Sequence, residues 1–245
     1  MIIGISPLER PDAGLVLALT EAGALGVLDL GRDPAARRRA LSTLAAHVGK
    51  RSGLGVRVPE GCALAPGELP AAVTVVIVAS ASDVARFTPR TVLVQVTSID
   101  EARAAVAAGA AGIIAKGSES GGRIGDETSF VLLQRLVQEV ALPIWVQGGI
   151  GRHTAAACIA GGAVGVVLDS QLALVRESSL GAELQHAIGA MDGSETAVIG
   201  GHRLYSRPDL PVASLQDASP AEIRDRLGGA DLAGCLLPVG QEGAF

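Results

Sequence analysis

Eight short apolar runs recur along the chain, most of them separated by stretches with helical spacing. They are read as strands over 2–5, 24–28, 54–58, 73–78, 91–96, 110–115, 143–147 and 164–168. Continuous apolar runs of four to eight residues mark strands buried on both faces, as in a parallel sheet covered by helices. Between them, 13–22 has helical apolar spacing, closed by Gly23 in the left-handed position that ends helices. Asp33-Pro34 supplies an N-cap with proline at the first helical position, for a helix running to about His47. Ser98 and Glu101 form a capping box for a helix ending at Gly109. From Glu127 to Val140, Phe130, Leu133, Leu136, Val137 and Val140 are expected on one helical face. Further helices are expected over 154–160 and 182–191, whereas Pro59, Pro66 and Pro70 disfavour a full helix between the third and fourth strands. Eight such units predict closure into a TIM (β/α)8 barrel, which commonly fills about 250 residues. The barrel is assigned to 1–190. Residues 191–245 are expected to be a C-terminal extension that lies over the barrel or links to a following domain.

Barrels of this kind carry their chemistry where the strands end. The sixth run stops at Lys116-Gly117 and opens into Gly117-Ser118-Glu119-Ser120-Gly121-Gly122-Arg123-Ile124-Gly125. Glycines there permit φ > 0 or close approach to a ligand. With its preceding strand, the stretch resembles the nitronate monooxygenase (2-nitropropane dioxygenase-like) and FMN-dependent enoyl reductase family. That family has a Gly-x-Glu-x-Gly-Gly-His loop after the sixth strand, and Arg123 stands here where its catalytic histidine would be. The resemblance implies an FMN-dependent oxidoreductase acting on a small molecule or an acyl thioester. It also suggests a module of a polyketide or fatty-acid synthase, with neighbouring synthase domains as partners. It implies cofactor binding by Gly121 and Gly122, and a phosphate held by Gly148, Gly149 and Ser170. After its eighth strand the family has Gly-Thr; this chain has Asp169-Ser170. The catalytic candidates are Lys116 and Arg123, although an arginine, charged at any ordinary pH, cannot serve as a base. The alternative is a catalytically degenerate barrel with a structural or interaction role in a megasynthase.

Composition excludes several other classes. Apolar residues make up 49% of the chain and aromatics 2%, so Ala, Val, Leu and Ile must build the core. A net charge of −5 without a basic stripe argues against nucleic acid. No apolar run reaches the ~18 residues of a membrane span. Cys62, Cys158 and Cys235 share no metal-ligand spacing and suit a reducing cytosol, so a cytoplasmic location is expected. The four histidines do not cluster, and the sequence has neither a phosphate-binding P-loop nor a Ser/His/Asp order.

Overall fold

The structure, a computed structural model, describes residues 1–47, 53–207, 212–228 and 234–244. Strands β1 (Ile2–Ile5), β2 (Leu25–Asp29), β3 (Leu54–Val58), β4 (Val73–Val78), β5 (Thr91–Val96), β6 (Gly112–Lys116), β7 (Ile144–Gln147) and β8 (Gly165–Leu168) form a closed barrel. All neighbours are parallel, and Ile3 opposite Val167 closes the ring between β1 and β8. Alternation along each strand divides the side chains. Ile3, Ile5, Val27, Ile77, Leu93, Ile114, Trp145 and Val167 fill the barrel interior. Residues of opposite parity, such as Val56, Val76, Val94 and Val146, face the helices. Each fully buried Leu, Ile or Val stabilises the fold by about 1.5–3 kcal/mol, so a core whose aromatic members are Trp145 and Phe87 suffices at this size.

The covering helices are α1 (Ala13–Glu21), α2 (Pro34–His47), α3 (Val84–Phe87), α4 (Ile99–Ala107), α5 (Ser129–Glu139), α6 (Arg152–Ala160) and α7 (Ala182–Gly189). Asp12 caps α1 by accepting from the Leu15 amide at 3.1 Å, and Gly23 follows at φ 87°. The helix lies so close to β2 that a Cβ on Gly26 would stand 2.4 Å from the Val16 carbonyl oxygen. Between β3 and β4 the prolines allow only one 3-10 turn, Pro66–Glu68.

Two local expectations are corrected. Ser98 does cap α4, but the Glu101 carboxylate accepts from the Thr97 amide at 2.8 Å, one residue before the cap, because it also reaches Arg123. On α5 the buried face is Leu132, Leu133 and Leu136, while Phe130 and Val137 are exposed. Phe130 and Val137 lie on the flank of the apolar stripe, whose centre is Leu132, Leu133 and Leu136.

Past α7 the extension turns back over the barrel. β9 (Thr196–Ile199) and β10 (His202–Tyr205) form a hairpin, and β10 pairs with Gly122–Arg123 of the glycine loop. Helix α8 (Pro220–Asp225) starts at Ser219, which accepts from the Glu222 amide. The expected end at Gly228-Gly229 comes at Asp225 instead, and Gly229 lies outside the described residues. Leu204, Val212, Ile223, Leu227 and Leu236 form a satellite core. Leu237 and Val239 then pack with Leu8, Ala173, Leu180, Ile188 and Met191. This brings 238–242 onto the C-terminal ends of the barrel strands.

Candidate functional site

The strands' C-terminal ends carry polar residues on otherwise apolar runs: Asp29 on β2, Arg57 on β3, Gln95 on β5, Lys116 on β6 and Gln147 on β7. Turned inward, all but Lys116 meet in one hydrogen-bonded network. The Arg57 guanidinium donates to Asp29 at 2.6 Å, to Glu9 at 3.3 Å and to Gln95 Oε1 at 3.0 Å. Gln95 Nε2 donates to Gln147 Oε1 at 2.7 Å, and Gln147 Nε2 to Asp169 Oδ2 at 2.5 Å. Asp169 Oδ1 accepts from the Ser170 amide at 2.6 Å. The chain of bonds thus crosses the whole mouth, from the loop after β1 to the loop after β8.

Leu8 and Glu9 take φ of 64° and 50°, a conformation costly for side chains with a Cβ. It sets Glu9 against Arg57 and Arg32. Burial works against the Arg57 charge, but Asp29 and Glu9 outweigh it and hold the group above its ordinary value. Burial pushes the Asp29 carboxyl upward, while Arg57, 2.6 Å away, opposes it. Removing one partner of such a buried pair strands the other's charge, whereas exposed pairs contribute little.

Lys116, Gly148 and Ser170 share one rim, as expected from the ends of the sixth, seventh and eighth strands. Their neighbours, however, belong to the chain itself. A Cβ on Gly148 would lie 2.4 Å from Ser120 Oγ, and one on Gly121 would lie 2.1 Å from the Pro238 carbonyl oxygen. Gly122, at φ 76°, faces Pro238 and Lys116 Nζ. The Gly149 amide donates to Glu242 Oε2 at 3.2 Å, and Ser170 Oγ accepts from the Gly240 amide at 3.0 Å. The Gln241 amide donates to the Glu119 carbonyl at 2.9 Å. Where an anionic phosphate was expected, the chain supplies a carboxyl group of its own. Burial, and then the neighbouring Asp169, push that Glu242 carboxyl up to about 8. Its Oε1 has no hydrogen-bond partner among the described residues.

Arg123 is held in place too. It donates to Glu101 at 2.7 Å and to the carbonyls of Ala79 and Gln95 at 3.3 Å. Lys116 is only 4% exposed. Burial, then Arg57, lower its pKa to about 8 against the pull of Asp169. The voids between these groups are about 30 Å³ and about 20 Å³. A larger cleft of about 350 Å³ lies outside the mouth, between 9–14 and 32–43. Asp29, Arg57, Gln95, Gln147 and Glu242 were not singled out from the sequence. The readable sign for the first four was a polar residue at the end of an apolar strand; Glu242 offered none.

The nitronate monooxygenase family model matches residues 70–198, more than half of the chain, including β6, the glycine loop, β7 and β8. The chain belongs to the nitronate monooxygenase family. Among solved structures it is similar to FabK from Thermotoga maritima, an enoyl reductase, at 27% identity and a TM-score of 0.81, over 99% of this chain and 86% of that one. Nitroalkane oxidase from Streptomyces ansochromogenes shares the fold at 23% identity and a TM-score of 0.73, over 99% and 90% of the two chains. So does the enoyl reductase domain of MlnA from Bacillus amyloliquefaciens, at 13% identity and a TM-score of 0.63, over 83% and 62%. No curated protein matches. By family and fold the chain is thus an oxidoreductase-type barrel, from a family whose members depend on a flavin.

FMN does not fit the mouth in this arrangement. Pockets for ligands of that size run to about 300–1,000 Å³, ten times the space present. The amide and hydroxyl expected at the phosphate are engaged by Glu242 and Gly240. Among the described residues no group of three or more His, Cys, Asp or Glu side chains is placed to hold a metal. No helix there is long and apolar enough to cross a membrane.

Proposed function

We propose that this family member has exchanged the flavin site for a self-contained polar mouth and serves as a structural or docking module. Neighbouring domains of a polyketide or fatty-acid synthase, in the cytoplasm, are its expected partners. The observation that carries the reading is the Glu242 carboxyl on the Gly149 amide, the position implied for a flavin phosphate. The Glu9–Arg57–Gln95–Gln147–Asp169 network supports it, because these side chains occupy the axis that a ring system would need. Arg123 supports it as well: its guanidinium is spent on Glu101 and two backbone carbonyls, so it offers neither a base nor a free anion site. The barrel is then retained for its shape, with 191–245 as a cap that completes it. The synthase setting rests on the family resemblance alone.

The test is spectroscopic and kinetic. The purified protein is expected to be colourless, to leave FMN fluorescence unquenched on titration, and to turn over neither a nitronate nor a crotonyl thioester with reduced nicotinamide. A yellow protein with stoichiometric flavin, active on either substrate, would refute the reading in favour of an FMN-dependent oxidoreductase.

A further inference from the structure

Lys116 stands apart from the network around it. Arg57, Asp29, Glu9, Gln95, Gln147 and Asp169 are all hydrogen-bonded to one another, but Lys116 makes no hydrogen bond or ion pair among the described residues. It ends β6, is 4% exposed, and lines both small voids of the mouth. Its Nζ is 3.6 Å from the position a Gly122 Cβ would take, so the glycine leaves that side open. A desolvated ammonium next to other cations is the known physical route to an amine that is nucleophilic near neutral pH.

We propose that Lys116 is a nucleophilic site that forms an imine with small, uncharged aldehydes entering the barrel mouth. This inference rests on the flavin-free mouth proposed above, and flavin content, read separately by absorbance, distinguishes failure of that reading from failure of this one. The carbonyl class follows from the amine. The restriction on size follows from voids of about 30 and 20 Å³ available to the centre of a water-sized sphere, where about 10–15 Å³ on that measure holds one water, so they admit an aldehyde of two or three heavy atoms and exclude a ring. The restriction on charge follows from Arg57, whose guanidinium is already matched by Asp29 and Glu9 and has nothing left for an anionic substrate.

The neutral Nζ lone pair forms the C–N bond as the carbonyl π pair moves to oxygen. The resulting carbinolamine loses its hydroxyl as water after that oxygen takes up a proton. Overall, ammonium plus aldehyde gives iminium plus water, with the positive charge retained. Asp169 lines the same void, and the Glu242 carboxyl beside it, with its pKa raised to about 8, is protonated at neutral pH and can furnish the proton.

The chain contains only two lysines, Lys50 and Lys116, so the assay has an internal reference. The full-length protein is incubated with acetaldehyde and cyanoborohydride at pH 7, and N-ethylation is mapped by peptide mass spectrometry. At a pKa of about 8 roughly a tenth of Lys116 is neutral at pH 7, against less than about 10⁻³ of an ordinary lysine. Allowing for slower entry, Lys116 is expected to be trapped at least about tenfold faster than Lys50, with a rate that rises to a plateau above pH 8. Benzaldehyde, too large for the voids, is expected to spare Lys116. Lys116→Gln should remove the fast phase alone. Modification of Lys116 no faster than that of Lys50 would overturn the proposal. Equal trapping by acetaldehyde and benzaldehyde would overturn the claim that the mouth selects by size.

Discussion

Replacing Glu242 by glutamine should stabilise the protein, and increasingly so as pH rises. Glu242 is 1% exposed, and its carboxyl ionises at about 8 where an ordinary glutamate does so near 4.5. A raised folded-state value means that the folded chain holds a proton the unfolded chain gives up. The associated stability is therefore complete below pH 4.5 and lost as pH climbs to 8. At about 1.36 kcal/mol per pH unit the whole interval amounts to about 5 kcal/mol. Proton sharing with Asp169 and relaxation of 238–242 reduce this, and we expect a gain of about 2 kcal/mol at pH 8. Glutamine keeps a carbonyl oxygen for the Gly149 amide and turns an N–H toward Asp169, so no hydrogen bond is sacrificed. Urea denaturation of both proteins at pH 5 and pH 8 is the assay, and other carboxylates cancel in the difference. Unfolding midpoints that agree at pH 5 and separate at pH 8 are the expected result. A constant separation across the range, or a variant less stable at pH 8, would refute the placement of a buried, neutral carboxyl on Gly149.

Arg57→Met should cost about 3–5 kcal/mol, because it leaves Asp29 and Glu9 buried without their counter-charge; urea midpoints measure it, and Asp29→Asn in the same chain should return part of the loss. Gly121→Ala places a Cβ 2.1 Å from the Pro238 carbonyl oxygen, so the 238–242 segment must lift; hydrogen exchange over 237–243 should quicken at least about tenfold, an opening cost of about 1.4 kcal/mol, with the barrel strands unchanged. Arg123→His restores the family residue but breaks the contact with Glu101, so a stability loss of about 1 kcal/mol is expected with no gain in nitronate turnover; appearance of turnover would count against a closed mouth.

The strands were legible because a barrel strand is buried on both faces and must be apolar, which leaves runs like Val73–Val78 little else to be. The common rim of Lys116, Gly148 and Ser170 followed from strand ends alone. The glycine pattern was legible as well, but not what it approaches. A Gly149 amide serves a phosphate or a carboxyl equally well, and Glu242, 93 residues away, carries no local pattern that marks it as the partner. Likewise, Leu236–Val239 reads as an apolar stretch, while its destination against Leu8 and Ile188 is set by tertiary packing. The face of α5 was misread because Phe130 and Val137 are apolar at helical spacing yet lie outside the contact with the barrel. The polar network was within reach. Asp29 and Gln147 end apolar strands and Arg57 and Gln95 stand one residue before the end of theirs, and buried polar groups at one level of a closed barrel must satisfy one another.

The most direct measurement of the central claim is an experimental structure from crystals grown in excess FMN. The account predicts Glu242 on the Gly149 amide, Gly240 on Ser170, Arg57 bonded to Asp29 and Gln95, and no flavin density at the mouth. A phosphate on the Gly149 amide, with 238–242 displaced and an isoalloxazine ring against Lys116, would contradict it.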